Sequence, residues 1–126
     1  MADSSGPECV QKLEDAFGSR VAFGTAGLRA EMGPGPARMN ELTVLQASQG
    51  LLRHLEDELG AEELRRRGIA VGFDHRARGT LCSEQFGRLC AAAFVSQGVP
   101  VRLLTGLVPT PLVPFCVELH GEHKRM

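Results

Sequence analysis

Val10, Leu13 and Phe17 recur at i, i+3 and i+7 with Gly18 just beyond them, which predicts a short amphipathic helix beginning near Glu8. A brief apolar approach, Val21 to Phe23, then predicts a strand running into a turn that holds Gly24 and Gly27. The following EMGPGPARMN is too rich in Gly and Pro for a helix and predicts an extended loop or irregular hairpin. Asn40 is placed as an N-cap, and Leu42, Leu45, Leu52, Leu55 and Leu59 mark one face before Gly60, so a long helix is predicted over Glu41–Leu59. Ala61–Arg67 adds a helical turn with Arg65, Arg66 and Arg67 at its end, where the helix dipole is negative.

Beyond Gly68, the apolar run Ile69–Phe73 reads as a buried strand, and DHRARGTLCS as a polar loop leaving its C-terminal end. Phe86, Leu89, Cys90, Ala93 and Phe94 repeat at i, i+3, i+4, i+7 and i+8, marking a second clear helix that Gly98 ends. Val99–Leu104 reads as another strand, with Pro100 tolerated near its start. Thr110 can cap a last helix from Pro111 to about Leu119, because Pro114 still lies among the first residues, whose N–H groups lack an intrahelical partner. Strand, helix, strand, helix, strand, helix implies an α/β layer with helices on a largely parallel sheet, spanning residues 21–119 after an N-terminal segment of residues 1–20.

Composition narrows the partners more than the fold. The chain has 126 residues, enough for one core or for part of something larger, with 43% hydrophobic and 23% charged residues, ordinary for a globular protein. A formal net charge of -1 gives no electrostatic reason to expect nucleic acid or an anionic membrane. The arginine triplet has no interleaved aromatics and reads as a solvated helix end. No signal-peptide pattern or membrane-length apolar run is present. Cys9, Cys82, Cys90 and Cys116 do not fall at zinc-site spacing and read as reduced, buried small hydrophobes, which agrees with a cytoplasmic compartment. His120 and His123 could be drawn as metal ligands, but Gly121 is expected to break the helix between them, leaving residues 120–126 as a disordered basic tail. His54 reads as a surface or helix-border residue. There is no Walker A loop, G-x-S-x-G elbow or D-x-D-x-D cluster.

What remains is anion chemistry at strand ends. FGTAGLRA, Phe23 to Ala30, sets a turn with two glycines against one cation, Arg29; the N–H groups around Thr25 and Gly27 can form an anion-binding concavity, and guanidinium suits a phosphate. In an open α/β sheet ligands gather at the carboxyl ends of the strands. Three loops qualify: Gly24 to Arg29, Asp74 to Gly79 and Thr105 to Thr110. The second carries Asp74, His75, Arg76 and Arg78, so a parallel sheet would bring guanidinium groups from two loops to one edge. The competing reading is that Asp74 pairs with Arg76 or Arg78 as a loop-stabilising surface contact.

FGTAGLRAEMGPGPARMNELTVLQASQG, followed by VGFDHRAR, FGRLCAAAFVSQGVPVRLL and VPTPLVPF, resembles the N-terminal domain of the α-D-phosphohexomutase superfamily, and within it the phosphoglucomutase/phosphopentomutase branch. The resemblance covers about Val21 to Glu118. It implies a three-layer α/β/α sandwich with a mostly parallel mixed sheet, domain I of a four-domain intramolecular phosphotransferase. A phosphoserine beside Mg²⁺ there exchanges a phosphoryl group with glucose or pentose phosphates. Arg29 matches the floor of the cleft, Asp74 and Arg76 match a D-x-R element, and Thr110 and Pro111 match a T-P element that positions the next helix. The T-A-S-H-N-P serine loop, the D-G-D-x-D metal loop, the sugar-recognition loop and the C-terminal phosphate-binding domain have no counterpart in the 126 residues. A truncated, inactive and marginally stable domain without bound metal is therefore expected; the alternative is a non-enzymatic short isoform that binds phosphate esters weakly or joins the full-length enzyme.

Overall fold

Pro7 opens the first helix, α1 (Pro7–Phe17), at a position where its missing N–H costs nothing, and Gly18 closes it by donating its N–H to the Glu14 carbonyl at 2.7 Å. The computed structural model describes residues 6–123. One end of α1 is anchored: Ala16 is buried, its carbonyl accepts the Ala37 N–H at 3.1 Å, and a Cβ on Gly35 would stand 2.3 Å from that oxygen. Gly35 also has φ +106°, so both space and backbone exclude a side chain there.

The first strand differs from expectation. β1 (Phe23–Gly24) and β2 (Gly27–Leu28) pair only with each other, antiparallel, Phe23 opposite Leu28 and Gly24 opposite Gly27. With glycine facing glycine, one rung of this hairpin offers no side chain to bury, and it stays outside the parallel sheet. The Gly- and Pro-rich stretch that follows is irregular, as its composition indicates, and is tied by a bridge between Met32 and Met39.

Helix α2 (Glu41–Leu59) begins at the expected cap. Asn40 Oδ1 accepts the Thr43 N–H at 3.1 Å, and Thr43 Oγ1 accepts the Asn40 N–H at 3.0 Å, a reciprocal capping box. Helix α3 (Ala61–Arg67) follows Gly60, and Gly68, with φ +73°, turns the chain into β3 (Ile69–Val71). The segment expected as a polar loop then folds into a second hairpin, β4 (Ala77–Arg78) with β5 (Leu81–Cys82), around Gly79 at φ +61°. Helix α4 (Ser83–Val95), strand β6 (Val101–Leu103) and helix α5 (Leu112–His123) complete the order.

β3 and β6 are parallel, Ile69 opposite Val101 through Val71 opposite Leu103. Loop residues extend the ladder: Leu104 N–H donates to the Val71 carbonyl at 2.9 Å and Val108 N–H to the Phe73 carbonyl at 3.0 Å. Alternation past β3 sends neighbours to opposite faces. A Cβ on Gly72 would meet Val113 of α5 at 3.0 Å, whereas a Cβ on Gly87 of α4 would meet Phe73 at 3.3 Å. Helices therefore cover the sheet from both sides, an α/β/α arrangement. The core lies on the α4 side, where Leu52, Leu64, Phe94 and Val99 are buried with Leu55, Ile69, Cys90 and Val101 against them.

Two further expectations change. α5 starts at Leu112 and runs through Gly121 to His123, so the glycine does not break the helix; its cost of about 1 kcal/mol is too small to end one. The cysteines are free and half-buried rather than buried. Apolar side chains stand open on α5, with Leu112, Phe115, Val117 and Leu119 between 47% and 56% exposed. Residues 1–5 of the N-terminal segment and residues 124–126 of the basic tail lie outside the described residues.

Candidate functional site

Arg29 leaves β2 one residue after Leu28, on a hairpin whose tip residues, Thr25 and Ala26, are exposed. Gly27 has φ +93° and nothing within 4 Å of a would-be Cβ, so conformation rather than crowding calls for glycine there. The Arg29 guanidinium is exposed and forms no ion pair with a carboxylate among the described residues.

Asp74 sits past the C-terminal end of β3, half-buried. Its Oδ1 accepts the Ser83 hydroxyl at 2.7 Å and the Arg76 N–H at 3.0 Å, and Oδ2 lies 2.7 Å from Arg76 Nε. The Ser83 hydroxyl foremost, then the Arg76 N–H and the Arg76 charge, hold the Asp74 carboxyl below its usual range. Arg76 is thus engaged by Asp74, the loop-stabilising contact that the sequence leaves open as an alternative. Arg78 takes the other route: its Nη1 donates to the Glu31 carboxylate and, at 3.1 Å, to the Met32 carbonyl. Glu31 in turn is held below its ordinary value, first by the Arg78 hydrogen bond and then by the Arg78 charge.

That latch joins the two loops. Glu31 lies two residues after Arg29 and Arg78 four after Asp74, so the Asp74 loop meets the segment just beyond the FGTAGLR hairpin through a side-chain contact 47 residues apart in sequence. The shared parallel sheet that the sequence reading expects does not make this contact: β1 and β2 pair only with each other, and Arg78 of β4 reaches Glu31 beyond them. The third loop reaches the same edge through Val108 on Phe73, and the Thr110 carbonyl accepts the Val113 N–H at 3.3 Å as α5 begins, with Pro111 just ahead of the helix.

Ser83, Glu31 and Met32 are site members that sequence reasoning missed. Asp74 followed two residues on by Arg76 is an Asx-turn pattern, which could have warned that the Asp side chain bonds its own loop. Glu31 and Met32 carry no comparable signal. No group of three or more His, Cys, Asp or Glu side chains able to hold a metal occurs among the described residues. Asp74 already faces hydroxyl, amide and guanidinium donors, so these residues do not fit a Mg²⁺ site.

No solved structure matches the chain. Sequence relatives do. The chain is 49% identical over 110 residues to phosphopentomutase of Homo sapiens, covering 86% of this chain and 18% of that protein. It is 44% identical over 109 residues to a probable phosphoribomutase of Schizosaccharomyces pombe, with 86% and 18% covered. It is 42% identical over 110 residues to glucose 1,6-bisphosphate synthase of Homo sapiens, with 86% and 17% covered. The chain therefore spans less than a fifth of the length of these relatives. Residues 20–122 match the family described as phosphoglucomutase/phosphomannomutase, alpha/beta/alpha domain I. With that match over most of its length and helices on both faces of its parallel pair, the chain belongs to the phosphoglucomutase/phosphomannomutase family, in the region of domain I.

Proposed function

We propose that this chain forms one wall of a phosphosugar cleft, with Arg29 as the phosphate contact, the Thr25 and Gly27 amides as supporting donors, and Asp74 with Arg76 shaping the adjoining loop. The observation that carries this is Arg29 itself: an exposed guanidinium on a glycine hairpin, without a carboxylate partner among the described residues, while nearby Arg76 and Arg78 are both taken by carboxylates. Guanidinium offers two parallel N–H donors to a phosphate ester, and backbone amides near it add to the field.

The reaction to which this wall belongs is intramolecular phosphoryl transfer on pentose or hexose phosphates through a phosphoserine, in the cytoplasm and with Mg²⁺ supplied by other parts of the cleft. The names of the relatives, phosphopentomutase and glucose 1,6-bisphosphate synthase, support sugar phosphates as the substrate class. The 126 residues contain no T-A-S-H-N-P loop, so the polypeptide alone binds without turning substrate over.

The test is a titration of ¹⁵N-labelled chain with glucose 1-phosphate, ribose 5-phosphate and inorganic phosphate. Amide shifts at Gly24 to Arg29 are expected with all three, lost in Arg29→Ala. Absence of shifts at millimolar ligand, or shifts that survive Arg29→Ala, would overturn the assignment.

A further inference from the structure

α1 keeps an apolar stripe open: Val10, Leu13 and Phe17 are 51%, 56% and 58% exposed although the helix is pinned at Ala16. Glu14 rims that stripe, one helical turn from Val10 and from Phe17. Elsewhere on the same chain an open groove of about 490 Å³ runs between the β1–β2 hairpin and α2. Its apolar lining includes Phe23, Leu28, Met39 and Leu51, and Arg20 and His54 also line it. Phe23 at 79% exposure and Leu51 at 47% have no cover of their own.

The helix cannot fill the groove beside it. The Ala37 N–H on the Ala16 carbonyl and the tight approach of Gly35 hold the end of α1, and the groove lining already begins at Arg20. Two residues, Gly18 and Ser19, are too short a link to turn an 11-residue helix over onto the surface that follows it. The stripe and the groove nevertheless match in chemistry: an amphipathic helix with apolar residues at i, i+3 and i+7 fits an apolar groove, and an acidic rim fits one bearing the Arg20 guanidinium. We propose that a second copy of this chain is the occupant, α1 of each protomer lying in the groove of the other about a twofold axis. Each copy offers one stripe and one groove, so a reciprocal exchange closes at two.

Sedimentation velocity on the 126-residue chain between about 1 μM and 1 mM tests this. A concentration-dependent shift toward twice the 13.6 kDa mass is expected. Leu13→Asp, on an exposed position, should abolish the shift while leaving the far-UV circular dichroism unchanged. Glu14→Arg and Arg20→Glu should each weaken association about fivefold, the effect of one exposed pair repeated by symmetry, and the double charge swap should recover most of it. A monomer throughout the range overturns the proposal. So does association that survives Leu13→Asp and disappears with Val117→Asp, which would place the contact on α5.

Discussion

Asn40 does more than cap α2, and its replacement tests how the loop behind the hairpin is held. Its Oδ1 accepts the Thr43 N–H at 3.1 Å, while Nδ2 donates to the Gly33 carbonyl at 2.9 Å and to the Gly35 carbonyl at 2.8 Å. Asn40→Ala removes the cap, which costs about 1 kcal/mol. It also leaves two half-buried carbonyls without this donor, at about 0.5 to 1.5 kcal/mol each, so about 2 to 4 kcal/mol is expected in all. With a urea slope of about 2 kcal/mol/M, the midpoint should fall by roughly 1 to 2 M at unchanged slope. The chain has no Trp or Tyr, so helical circular dichroism rather than intrinsic fluorescence is the probe.

Asn40→Asp sharpens the test. Aspartate keeps the acceptor that caps the helix but places a second acceptor oxygen against two carbonyls. It should therefore be no more stable than the alanine variant, despite being a good N-cap in isolation. Full stability in Asn40→Asp would show that capping alone matters and that the Gly33 and Gly35 contacts carry nothing. A midpoint shift under about 0.3 M in Asn40→Ala would refute the whole ledger.

Phe94→Ala, at a side chain with 0% exposure in the centre of the core, should cost about 3 to 5 kcal/mol and broaden or abolish the cooperative thermal transition. Gly68→Ala should cost at least about 2 kcal/mol by the same urea measurement, because φ is +73° and the new Cβ would stand 2.5 Å from the Pro100 carbonyl oxygen. Glu63, hydrogen-bonded by Arg66 and then Arg67, is pulled from 4.5 down to about 2. Its folded value is the lower one, so its contribution to stability is present above about 4.5 and is lost as pH falls toward 2. An NMR titration should find the low midpoint and see it rise in Arg66→Gln, whereas a wild-type midpoint near 4.5 would refute it.

The parts of the fold written in local sequence were the parts legible from it. Five apolar positions on one face and an Asn before them mark α2 without reference to anything else, and α4 is marked the same way. The hairpins were not legible because strands of two residues have no period to detect. Val21 to Phe23 looked like a sheet strand because apolar residues before a glycine turn read alike whether they bury or, like Phe23, stay in solvent. Gly121 misled in the opposite sense: glycine weakens a helix everywhere but ends one only where the chain turns away. The candidate site divides along the same line. Arg29 and Asp74 were visible from motif and position, but Glu31, which decides where Arg78 goes, is visible only in three dimensions.

That last contact bears on why Arg29 stands open. Asp74 and Glu31 are the carboxylates that answer Arg76 and Arg78 along these loops, with Arg38 close enough to act on Glu31 as well. Asp74 is committed by three donors from its own loop and from Ser83. Glu31, two residues along from Arg29, is the sequence-local counterion that could neutralise it, yet Arg78 reaches across from the β4–β5 hairpin and holds it, with Arg38 adding to the same field. The latch therefore has two consequences from one ion pair: it ties the Asp74 loop to the segment just beyond the FGTAGLR hairpin, and it occupies the carboxylate closest in sequence to Arg29. An exposed pair is screened by salt, so both consequences should weaken together as ionic strength rises. The reserve of positive charge at the hairpin is thus set by which arginine Glu31 answers, not by the number of arginines in the motif.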